Sequence, residues 1–257
     1  MQNTTPLLAI FILGSVAGVS HAAEDLTVVS NITTNGQPSG TDTSYISSDH
    51  MRTSREQGMS MIIDLKSGTM TNINEKKKTY YTVTKQDMDN MSAKMSERMN
   101  DPKMKQAMAM MQGMTAAMST STEVKKTGIT RKVAGYACDE WLINMGPMSM
   151  TECVTGELKY PVQSWEAMKE FSESMRKSMS GFGVNAKSGA DYAEKLKSIK
   201  GFPVASSTTV SGITKTTITS EVTEVRHTPI SASMWEVPAG FSQEENPMLK
   251  SMQEHGR

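Results

Sequence analysis

The sequence predicts an α+β fold, a curled antiparallel sheet with methionine-rich helices laid over its apolar face. Three observations predict it. Short Thr-rich and β-branched runs, broken by Gly and Asn, occupy two blocks of the chain. Before and after the central hairpin the apolar spacing changes from two to three or four, over about 85–118 and 164–199. A central hairpin between these inserts holds both cysteines, Cys138 and Cys153. Strands in blocks, with helices inserted and no βαβ alternation, indicate an antiparallel sheet.

Residues 1–22 read as a secretory signal peptide. Leu7–Val19 is apolar but shorter than the ~20 residues a helix needs to span a bilayer, and Ser20-His21-Ala22 is a small-x-small cleavage pattern. The cysteine of a bacterial lipid anchor is missing at that point. A soluble, periplasmic product of a Gram-negative bacterium is expected, with no transmembrane segment after cleavage. Residues 23–243 then form one domain, and 244–257 a loose polar tail.

The first block opens with a strand over Asp25–Thr34. Asn35–Gly40 is a turn cluster. Asp42–Ser48, His50–Arg55, Met59–Leu65, Thr69–Asn74 and Thr79–Thr84 continue the meander. The period changes at Lys85. Methionines at 88, 91, 95 and 99, then at 104, 108, 111, 114 and 118, mark one helical face. Thr84 with Asp87 caps the first helix. Asp101-Pro102 starts a second, as N-cap and first helical residue.

Thr120–Val133 returns to strand and leads into the hairpin. Its turn lies near Asn144–Pro147. Pro147 lacks an N–H, which favours a four-residue loop flanked by Ile143 and Met148. That register sets Cys138 opposite Cys153 and Trp141 opposite Met150. One face collects Ala137, Trp141, Ile143, Met148, Met150 and Val154. Two cysteines in an exported chain are expected to be oxidised, and so short a loop gives about 3 kcal/mol in the chain-entropy account. Beyond it, Ser164 caps a helix with Trp165, Met168, Phe171, Met175 and Met179 on one face. Ala190–Ile199 is a shorter helix. Val204–Val210 and Ile213–Val225 form a hairpin around Ser211-Gly212, and Ser233–Phe241 closes the domain.

Composition removes several function classes. Lys plus Arg and Asp plus Glu are both 27, so nothing electrostatic recruits nucleic acid. His50, His227 and His255 are scattered, without the spacing of a metal site. No GxSxG, GxGxxG or P-loop is present in a fitting context. No enzyme and no cofactor is expected. Methionine is the outlier, 24 residues against five Phe. Flexible thioethers fill irregular gaps and suit adaptable apolar surfaces.

Four stretches resemble a known group: MIIDLKSGTMTNINEKKKTYY before the first insert, TGITRKVAGYACDEWLI in the middle, then GFPV and MWEVPAGF at the end. Together they resemble a bacterial family of secreted proteins of unknown function, related to the periplasmic lipoprotein carriers and receptors (LolA/LolB-like). The resemblance covers most of the chain after the leader. It implies an unclosed antiparallel β-barrel, lidded by helices on its concave face and able to hold acyl chains. It implies no catalytic residues.

The expected function is non-enzymatic binding of a hydrophobic small molecule or lipid between sheet and helices. The candidate lining residues are Met91, Met95, Met108, Met111, Met114, Trp141, Met150, Trp165, Met168 and Met175. One rival is a soft-metal protein with Met108, Met111 and Met114 as copper ligands. The other is an envelope protein with an ordinary filled core.

Overall fold

Alternating Thr-rich runs, joined for the most part by turns of two to five residues, leave the chain little choice but to pair each strand with the next inside its block. In the computed structural model, which describes residues 25–99, 123–145, 148–161, 198–211, 214–247 and 250, they do so. The first block gives β1 (Leu26–Thr34), β2 (Gln37–Ile46), β3 (His50–Arg55), β4 (Met59–Asp64), β5 (Thr69–Asn74) and β6 (Thr79–Val83). The second gives β7 (Glu123–Val133), β8 (Tyr136–Met145), β9 (Met148–Thr155), β10 (Phe202–Val210) and β11 (Thr216–Arg226). A two-residue β12, Ser242–Gln243, follows.

All twelve join one sheet, in the order β12-β6-β5-β4-β3-β2-β1-β11-β10-β9-β8-β7. The two blocks meet through β1 and β11, paired antiparallel from Thr27↔Arg226 to Thr34↔Ile218. The described residues are thus mostly β, arranged in one long unclosed antiparallel sheet; the α+β balance and the methionine-rich helical cover are not visible in them. The described helix of the first insert is α1, Lys85–Met99. It is capped as the sequence indicates: the Asp87 N–H donates to Thr84 Oγ1 at 3.1 Å, and Asp87 Oδ2 accepts from the Thr84 N–H at 2.8 Å. The second half of that insert and the whole of 164–197 lie outside the described residues, as does the leader.

Three local readings are corrected. The Asn35–Gly40 cluster is not all turn: Asn35 and Gly36, with φ of 52° and 78°, make the connection alone, and Gln37 already pairs with Thr34. Asn-Gly is the preferred pair for a two-residue hairpin. Pro38 is tolerated in β2 because β3 pairs only from Asp42 onward. The β10–β11 connection is five residues, since Val210 pairs with Thr216. In the central hairpin the ladder runs on to Met145↔Met148, so only Gly146 and Pro147 connect the strands. Pro147 sits in the loop in either register, so its missing N–H never discriminated between them.

The C-terminal segment crosses the sheet. The Ile230 N–H donates to Asp25 Oδ2 at 2.7 Å. A 3-10 turn, Ala232–Trp235, lies on β3. There the buried Arg52 guanidinium donates to Met234 O at 3.0 Å, and Trp235 stacks on His50 with ring centroids 5.4 Å apart. β12 then pairs parallel with β6 and covers that edge. The chain stays attached beyond it: the Glu244 N–H donates to Tyr80 O at 2.7 Å, and Asn246 is buried.

Candidate functional site

Side chains alternate across a strand, so the register decides which residues share a face. On one face the ladder aligns Leu26, Ile46, Met51, Ile63, Met70 and Val83, one from each of β1 to β6 in spatial order. Six neighbouring strands make this apolar row about 24 Å long. Its ends are buried: Leu26, Ile46 and Val83 are 1%, 2% and 8% exposed. Met51, Ile63 and Met70 between them are half-buried. Apolar atoms are therefore accessible along the middle of the row.

The same face continues through the second block. Ile32, Ser220, Ser206, Glu152 and Trp141 form one row over β1, β11, β10, β9 and β8. Ile143 and Met150 stand opposite each other beside it, Ile143 fully buried and Met150 half-buried. Glu152 is the anomaly. Burial pushes its carboxyl above the usual carboxylate range. Tyr160 stacks on Phe202 with ring centroids 4.7 Å apart, and Phe202 stands opposite Thr155, on the face of Cys153 and not on that of Glu152. Burial, and then the Glu152 charge, push the Tyr160 phenol up to about 12.

The opposite face of the second block is polar. Arg131 pairs with Cys138, Cys153 with Ala205, and Ala205 with Glu221. Arg131 Nη1 reaches Glu221 Oε2 at 2.9 Å. In a flat sheet β7 and β11 would stand about 19 Å apart, so these five strands curl toward this face. The trough they form encloses about 350 Å³, lined by Arg131, Glu140, Thr151, Ser207, Thr219 and Glu221, with Cys153 among them. The disulfide joins Cys138 and Cys153, with Cα atoms 5.3 Å apart and both residues almost fully buried. It is diagonal: Glu140, not Cys138, stands opposite Cys153. Strand twist shortens one diagonal of each ladder, which brings the two sulfurs within bonding reach.

Of the residues singled out from the sequence, Met91 is buried on α1. Trp141 and Met150 share a face and are half-buried, but stand opposite Glu152 and Ile143 instead of each other. The Met95 side chain and Met108, Met111, Met114, Trp165, Met168 and Met175 lie outside the described residues. Sequence reasoning passed over Glu152, Tyr160 and Phe202. A signal for Glu152 was present: the alternation Met148, Met150, Glu152, Val154 sets a charge on an apolar face. Among the described residues, no three or more His, Cys, Asp or Glu side chains group so as to hold a metal ion. No described helix is long and apolar enough to cross a membrane.

These features define a class, a disulfide-bonded, mostly-β protein built on one unclosed antiparallel sheet with an accessible apolar face. Residues 31–241 match the family model described as a domain of unknown function, DUF4412, and the chain belongs to that family. Among curated proteins none matches it. Two solved structures of PNGF-II, in C2 and P21 space groups, are similar at 10% identity, with TM-scores of 0.42 and 0.41. They cover 91% and 89% of this chain, which spans 33% of theirs.

Proposed function

We propose that this is an exported, non-enzymatic binding protein that holds a hydrophobic ligand, lipid or acyl chain, against the apolar face of its unclosed sheet, in the manner of the LolA/LolB-like carriers it resembles. The observation that carries the reading is the in-register row from Leu26 to Val83, buried at its ends and half-exposed at Met51, Ile63 and Met70. Each methylene a ligand buries there gains about 0.8 kcal/mol. Two of the three accessible side chains are methionines, which adapt to ligands of different shape.

Export fits the buried Cys138–Cys153 disulfide, because such bonds persist in oxidising compartments. The copper alternative rests on Met108, Met111 and Met114, and no described residue adds to it.

Native mass spectrometry of the protein purified from a bacterial periplasm, before and after organic extraction, tests the reading. Adducts of lipid mass that extraction removes are expected. A bare chain in both spectra, together with failure to take up added long-chain alcohol, would leave the filled-core reading in its place.

A further inference from the structure

We propose that the trough inside the curl of β7–β11 is a second binding site, for a small protonated amine that also carries hydroxyl groups. It lies on the opposite sheet face from the Leu26–Val83 row and goes beyond the apolar-ligand reading.

Three observations carry it. The first is enclosure. β7 and β11 are the outer strands of this half, yet Cα atoms of the two come within 8 Å of each other. The Arg131–Glu221 pair bridges them. The concave face therefore looks inward on itself. The space it encloses, about 350 Å³, is in the size range of small-molecule pockets.

The second is what faces that space. A small curled sheet normally fills its inside with packed side chains. One end follows the rule: Val133, Cys138, Cys153, Ala205 and Phe202 are buried there. Past the disulfide the inward positions turn polar. Register lines up Thr219, Ser207 and Thr151 across β11, β10 and β9, all half-buried. The Thr219 hydroxyl is held by Thr33. Those of Ser207 and Thr151, which stand opposite each other, bond no other described side chain. Two adjacent hydroxyls are thus left for an occupant.

The third is charge. The diagonal that joins Cys138 to Cys153 recurs two residues on as Glu140 to Thr151, so strand twist tips this carboxylate toward that hydroxyl. Glu140 is half-buried, and among the described residues no lysine, arginine or histidine pairs with it. The one cation of the trough, Arg131, is taken by Glu221. One cation against two carboxylates leaves the lining negative, which repels phosphates and carboxylates. No aliphatic or aromatic side chain lines it, so it does not suit a lipid chain. It suits a cation whose hydroxyls reach Thr151 and Ser207, with the ammonium on Glu140 as the stronger, charge-assisted bond.

The test uses three six-carbon probes that differ in one end group, glucamine, sorbitol and gluconate, titrated into ¹⁵N-labelled protein. Glucamine is expected to shift the amide signals of Thr151 and Ser207 and to bind about tenfold more tightly than sorbitol, with gluconate weakest. Glu140→Gln should bring glucamine down to the level of sorbitol. Thr151→Val should weaken both. Neither variant should change the binding of dodecanol to the opposite face, and circular dichroism confirms that both are folded. If gluconate binds best, or Glu140→Gln leaves glucamine unchanged, the amine assignment is wrong. If no probe moves the trough amides, the trough is not a binding site. Either failure leaves the apolar-ligand reading untouched.

Discussion

Across β1–β6 one row reads Leu26, Ile46, Met51, Ile63, Met70, Val83. Across β7–β11 the row on the other face reads Arg131, Cys138, Cys153, Ala205, Glu221. Both halves are held by apolar burial, with Val133, Leu158, Phe202, Val204 and Val222 in one core with Leu26, Val28 and Ile46. Hydroxyl pairs also join β1 to β11 and β10 to β11: Thr33 bonds Thr219 at 2.6 Å and Thr209 bonds Thr217 at 2.9 Å. Such pairs add little net stability each. The second half adds a buried disulfide and a cross-trough ion pair. The comparison teaches that one continuous sheet need not have one stabilising mechanism. It also shows where a ligand can be accommodated, because Ile63 and Met70 stay half-exposed outside the core that joins the two halves, against which Met51 packs.

The largest expected effects break this comparison if they fail to differ between the shared core and the hydroxyl pairs at the junction. Leu26→Ala leaves a cavity at the buried end of the apolar row and should cost about 2–5 kcal/mol. Thr219→Ala in the other half should cost about 1 kcal/mol or less. Equal losses in denaturant titration would mean that the hydroxyl pair bears as much as the shared apolar core.

Next in size is the staple. Cys138→Ser should remove about 3 kcal/mol in oxidising buffer. Reductant should lower the melting temperature of the parent protein by the same amount and leave the variant unchanged. A variant that still responds to reductant would contradict the Cys138–Cys153 bond.

Glu152→Gln should go the other way. Burial raises the Glu152 carboxyl, so the folded state binds that proton more tightly than the unfolded chain. Stability is therefore lost as pH rises from about 4, the unfolded value, through the folded one. The amide escapes this loss. The variant should melt higher than the parent at pH 7, with the difference vanishing below about pH 4. A lower melting temperature at pH 7 would mean that the carboxylate is satisfied in the folded protein.

The smallest effect concerns the β3–β4 edge. A hydrogen bond from Lys66 holds Asp49 down to about 2. A depressed carboxylate stabilises above its unfolded value and loses that contribution as pH falls from about 4 to about 2. Asp49→Asn should flatten this part of the acid titration slightly, since the pair is largely exposed.

Much of the meander was legible in the chain. β5 spans Thr69–Asn74 as its Gly and Asn punctuation indicates, and α1 begins at the Thr84–Asp87 cap. Periodicity and turn residues are local signals, and these elements are local. The disulfide partners were legible too, but not their register. Pairs separated by two positions put the same residues on the same face, so alternation alone cannot tell an opposed cystine from a diagonal one.

The β1–β11 junction and the parallel β12 were not legible. Their partners lie more than 150 residues apart, and a two-residue strand has no period. Glu152 was legible as a charge in an apolar alternation; its lack of a partner emerges only once β8, β9 and β10 are laid side by side.

The most direct test of the account is a spectrum of the protein carrying ¹³C-labelled methionine methyl groups, titrated with dodecanol. Met51→Leu and Met70→Leu variants would assign the two signals in the middle of the apolar row. The account predicts that both shift and saturate together as the chain binds. Saturable binding that leaves both unmoved would contradict the claim that this row is the ligand surface.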